Sequence, residues 1–102
     1  MSGGGSGLSD ELLEECAGWV WEQLQEEGFL LAGELVELIL VTERELGVEG
    51  RDLATIARVV DEEFRLRGVA GNPYPIDANL IREVLQWEDE FLGLAGMPRG
   101  GG

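Results

Sequence analysis

The chain has 102 residues, in which 21 carboxylates stand against seven basic side chains, for a formal charge of -14. A surface this acidic repels phosphate backbones and anionic lipid, which excludes direct nucleic-acid and membrane-surface binding. Histidine and lysine are absent, so Ser-His-Asp and Cys-His triads, Cys/His zinc sites and Glu-x-x-His di-iron sites are excluded as well.

Glycine-rich segments lie at both ends, MSGGGSG at residues 1–7 and PRGGG at residues 98–102. They have nothing to bury and are expected to be flexible tails. Residues 8–97 between them are long enough for one modest core. The expected fold is all-α, a compact four-helix single domain.

The first helix is predicted from about Ser9 to Glu27. Ser9 is a suitable N-cap, and Asp10 and Glu11 follow where the helix dipole favours anions. Leu12, Leu13, Cys16, Trp19, Val20 and Leu24 fall on one face, and seven acidic residues with no basic one occupy the other. Gly28 is the expected stop.

A second helix is predicted from about Phe29 to Leu46. It is apolar around more than half its circumference, with Glu34, Glu37, Arg44 and Glu45 as a narrow polar strip. Such a helix is expected to be the most buried of the four.

The third helix, Leu53 to Arg67, has Asp52 as its cap and Gly68 as its stop. Leu53, Ile56, Ala57, Val60 and Phe64 make its inner face, with Asp61–Arg65, Glu63–Arg67 and Arg58–Glu62 as flanking i, i+4 pairs. After the turn-rich GVAGNPYP, a fourth helix is predicted from Asp77 to near Leu92, before Gly93.

Two short stretches have parallels elsewhere. DLATIARVV at residues 52–60 is similar to the first helix of a helix-turn-helix. The following DEEFRLRG continues the same helix, so no recognition helix is expected. Residues 33–61 are similar to the central part of acyl carrier proteins, which are small acidic four-helix domains. That family's Asp-Ser-Leu attachment motif is replaced by Ala32, Gly33 and Glu34, so no carrier function and no cofactor are expected.

Few residues carry chemistry. Ser2 and Ser6 sit in a tail, Ser9 reads as a cap, and Cys16 on an apolar face reads as a buried, inert thiol. The clusters Glu14-Glu15, Glu26-Glu27, Asp61-Glu62-Glu63 and Glu88-Asp89-Glu90 point in several directions on their helices, so no metal site is expected. Glu88 is the exception. It lies amid Val84, Leu85, Trp87, Phe91 and Leu92, as an edge residue, as a buried partner of an arginine such as Arg58 or Arg65, or as a working carboxylate.

Trp21, at the margin of the first helix's apolar arc near Glu14 and Gln25, is a candidate partner contact together with Glu14 and Glu22, as is Tyr74 between two prolines.

The function expected from these features is a non-enzymatic, soluble, cytoplasmic protein-interaction or regulatory module. Its partner is a protein of basic character, or a second copy in a homodimer. Two alternatives stay open: a DNA mimic that inhibits a basic nucleic-acid-binding protein, and a carboxylate-based ligand-binding or enzymatic domain centred on Glu88.

Overall fold

Apolar residues at helical spacing account for each element of the computed structural model, which describes residues 10–29, 31–48, 50–69 and 76–96. These contain four helices, α1 (Asp10–Glu26), α2 (Gly33–Glu45), α3 (Leu53–Arg67) and α4 (Ala78–Leu94), and no strand. The protein is therefore an all-α four-helix domain. The proposed tails, residues 1–7 and 98–102, lie outside the described residues. No helix among the described residues is long and apolar enough to cross a membrane.

α1 buries Cys16, Ala17, Val20 and Leu24 and leaves Glu11, Glu14, Glu15, Glu22 and Glu26 exposed. It ends because Gly28 takes a positive φ of 96°, a conformation that costs glycine little. The Gly28 N–H then donates to the Gln25 carbonyl at 3.0 Å, and the Phe29 N–H to the Leu24 carbonyl at 2.9 Å.

α2 starts four residues later than Phe29, the start expected from the sequence. Phe29 is drawn back onto α1 by its bond to Leu24. The Trp21 indole N–H donates to the Leu31 carbonyl at 2.7 Å, which ties Leu31 to α1. Ala32 is extended, with φ -71° and ψ 143°, the geometry of an N-cap without a side-chain acceptor. Leu31 is still buried, so its apolar character serves the core from a loop.

α2 has the largest buried share, five of its 13 residues against five of 15 in α3 and six of 17 in α4, as its wide apolar circumference predicts. α4 makes the most extensive contacts, packing against all three others and chiefly against α3 and α1. It buries Leu80, Ile81, Val84, Leu85, Glu88 and Leu92. Both helices carry polar groups into the core, α2 with Thr42 and Glu43 in its last turns and α4 with Glu88. α4 also runs past its expected end near Leu92, through Gly93 to Leu94. The left-handed glycine beyond it is Gly96, with φ 74°.

α3 spans the residues expected. The Asp52 side chain caps it, accepting from the Thr55 N–H at 3.1 Å and from the Thr55 hydroxyl at 2.8 Å. That hydroxyl, followed by the backbone N–H, holds the Asp52 carboxyl below its ordinary value. Asp77 caps α4 in the same way, accepting from the Leu80 N–H at 2.9 Å. On the flank of α3, Arg65 pairs with Asp61 at 3.2 Å. Arg67 pairs with Glu63 at 2.7 Å and with Glu45 of α2 at 3.2 Å. The hydrogen bonds that Arg67 donates to Glu63 and Glu45 raise its guanidinium above its ordinary value.

Candidate functional site

Two groups of carboxylates differ from the solvated majority: one is buried between α2 and α4, and the other rims a groove along α4.

The buried group follows from helical spacing. Val36, Ile39, Leu40 and Glu43 stand at i, i+3, i+4 and i+7 of α2. Ile81, Val84, Leu85 and Glu88 repeat the pattern on α4. Each stripe therefore carries a glutamate into the core, and both Glu43 and Glu88 have 0% exposure. Arg44 reaches both, with Nη1 at 2.9 Å from Glu88 Oε2 and 3.4 Å from Glu43 Oε1. The partner of Glu88 is thus Arg44, in place of the Arg58 or Arg65 considered from the sequence. Those two stand on the exposed flank of α3, whereas the last turn of α2 faces α4. Sequence reasoning missed Glu43 altogether, although the i+7 spacing was there to be read. A fully enclosed carboxylate held by an arginine ties two helices together, and a ligand reaches it only if the helices part.

The groove is built from the end of α1, the α1–α2 connection, the start of α3 and the length of α4. It consists of two adjoining hollows that share Glu27 and Glu83 as walls. The first, of about 430 Å³, has Phe29 and Leu80 as its apolar floor and Asp77 on its rim. The second, of about 630 Å³, has Leu53 and Trp87 as its floor and Asp89 and Glu90 on its rim. Among the described residues lining either hollow, none is basic.

Trp87 is fixed within this groove. Its indole N–H donates to Glu27 Oε1 at 3.2 Å. Trp19 meets it edge-on, with ring centroids 5.8 Å apart at 70°, and Trp19 also rests on Phe91 at 5.9 Å. A ring held from two sides presents its free surface without further ordering cost.

The other sequence candidates fall elsewhere. Trp21 is half-buried and spends its N–H on Leu31, and a side chain at Gly33 would meet its ring at 3.8 Å. It lines a smaller hollow of about 220 Å³ with Glu14 and Glu37. Glu22 is exposed and borders none of these three hollows. Tyr74 lies outside the described residues. Cys16 is buried and carries no disulfide. Among the described residues, no group of three or more Asp, Glu, Cys or His is placed to hold a metal ion.

Comparison with protein-family models, with curated proteins and with solved structures gives no match for this chain. Fold and site together define an acidic four-helix domain with an arginine-tied core contact and a groove that no basic residue lines among the described residues.

Proposed function

We propose that this domain is a non-enzymatic binding module for a basic protein partner, and that the α1–α4 side is its contact face. The observation that carries this reading is the uneven placement of cations. Residues 10–27 hold seven carboxylates and no cation, and residues 77–94 hold four besides the buried, Arg44-bound Glu88, against Arg82 alone. Between residues 33 and 67, nine carboxylates meet five arginines. Uncompensated carboxylates on one face cost folding stability through mutual repulsion. The same field steers a cationic surface toward that face and speeds its association.

A second copy of this chain fits that face poorly, because it would bring like charges together. The enclosure of Glu88 by Arg44 removes the motive for a reacting carboxylate there. A DNA mimic is one form of the same module, with a nucleic-acid-binding protein as its basic partner. We place the module in the cytoplasm, a setting in which the unbridged Cys16 stays reduced.

The test is a binding titration of the full chain with an arginine-rich peptide across a salt series. Affinity is expected to fall steeply as salt rises, and to fall again when Glu27, Glu83 and Glu90 are changed to Gln. Neutralising the α3 residues Glu62, which is exposed, and Glu63, which is half-buried, is expected to do much less. Equal losses from both sets would refute the assignment of the face.

A further inference from the structure

We propose that the groove along α4 takes a cationic amphipathic helix from the partner protein, with apolar anchors in the two hollows and cations on the rim. This rests on the function proposed above and names the kind of segment that the face receives.

Length comes first. The residues of α4 and its cap that border the groove run from Asp77 to Glu90. At 1.5 Å per residue, that stretch is about 20 Å long. A partner helix of about three to four turns matches it, and such a helix repeats its anchors every three or four residues.

Chemistry comes second. Each hollow pairs an apolar floor with a carboxylate rim: Phe29 and Leu80 in one, Leu53 and Trp87 in the other, with Glu27 and Glu83 between them. A purely cationic chain would satisfy the rim and leave the floors wet. A purely apolar helix would cover the floors and bury the carboxylates without partners, which is costly. Only a segment with both faces satisfies both. Over Trp87 the two demands coincide, because the ring face attracts an arginine or lysine while Glu27 and Glu90 stand beside it.

The floor is also ready-made. The Trp19 and Glu27 contacts hold Trp87 before any partner arrives, so docking does not have to order it.

The experiment uses the full chain and three synthetic peptides of about fourteen residues, the length set by the groove. All contain the same leucines, lysines and arginines. One orders them as an amphipathic helix, one is scrambled, and one keeps the order but carries a central proline. Affinity is measured by calorimetry at low salt, and the site is read from the indole N–H resonances of Trp87 and Trp21.

The ordered peptide is expected to bind about tenfold tighter than either control, as loss of anchored contacts implies. It should shift the Trp87 indole and leave that of Trp21 unmoved. Glu83→Arg should weaken it about tenfold, whereas Glu62→Arg on α3 should change it by less than about twofold.

If the scrambled peptide binds as tightly as the ordered one, and Glu83→Arg still weakens both, the helix proposal is overturned while the basic-partner face stands. If Glu83→Arg and Glu62→Arg act alike, or no peptide binds at low salt, both fall.

Discussion

The α1–α4 side and the α2–α3 side of this domain use the same residue, glutamate, for opposite ends. The arginines of α2 and α3 answer several carboxylates: Arg44 meets Glu43 of α2 and Glu88 of α4, Arg65 meets Asp61, and Arg67 meets Glu63 and Glu45. Along α4, the described residues that line the two hollows include Glu27, Asp77, Glu83 and Glu90 and no arginine. An arginine's planar fork suits it to sharing between two carboxylates, and Arg44 and Arg67 both do so. Carboxylates tied to arginine hold the helices together, while those on the groove rim are the ones proposed above to meet a partner.

The largest expected effect comes from the arginine-tied side. Arg44→Leu takes the guanidinium from a buried carboxylate and should destabilise the domain by about 3–5 kcal/mol. That is a large share of the about 5–15 kcal/mol that a small domain has in total. Urea unfolding measures it, and Glu88→Met in the Arg44→Leu background should restore part of the loss. Unchanged stability in Arg44→Leu or in Glu88→Gln would mean that the buried tie contributes nothing, and the contrast between the two sides would dissolve.

The groove side should behave in the reverse manner. Glu27→Gln combined with Glu83→Gln keeps an acceptor for the Trp87 N–H while removing two charges. Stability should change by less than about 0.5 kcal/mol, as expected of surface substitutions. Binding of a cationic peptide should nevertheless weaken about tenfold. A variant that lost stability and kept its affinity would reverse the assignment.

Smaller effects sharpen the picture. Asp61→Asn breaks a pair whose arginine is largely exposed, and should cost about 0.5 kcal/mol, read from the thermal midpoint. The smallest effect is a pH dependence at Asp52. Its folded carboxyl lies below the ordinary value of 3.8, so its contribution is complete above that value and is lost as pH falls through the lower folded value. Asp52→Asn keeps a capping group and should flatten that part of the stability profile below about pH 4. An unaltered profile would show that the Thr55 hydrogen bonds do not favour the charged form.

The pattern of apolar residues was enough to read α3 to its end residues, because a cap, a periodic face and a glycine stop all agree there. It was less sufficient for α2. The run from Phe29 to Leu46 reads as continuous helix, since nothing local tells a buried loop leucine from a helical one. The break depends on the Trp21 bond to Leu31, made by a residue ten positions away. The candidate site divides in the same manner. Glu88 stood out on its own helix, but its partner Arg44 lies 44 positions away. The groove was not legible at all, because Phe29, Leu53, Leu80 and Trp87 come from separate segments and converge only when the helices pack.

What the sequence determined by itself was therefore local or global in kind: four helical stripes, the capping residues Asp52 and Asp77, and a strongly negative charge. These depend on spacing of a few residues or on simple sums along the chain. Tertiary structure alone decided which helices pack most extensively, which arginine meets Glu88, and which carboxylates line the groove. Those outcomes depend on where side chains distant in sequence meet, and that is set by packing of the whole core.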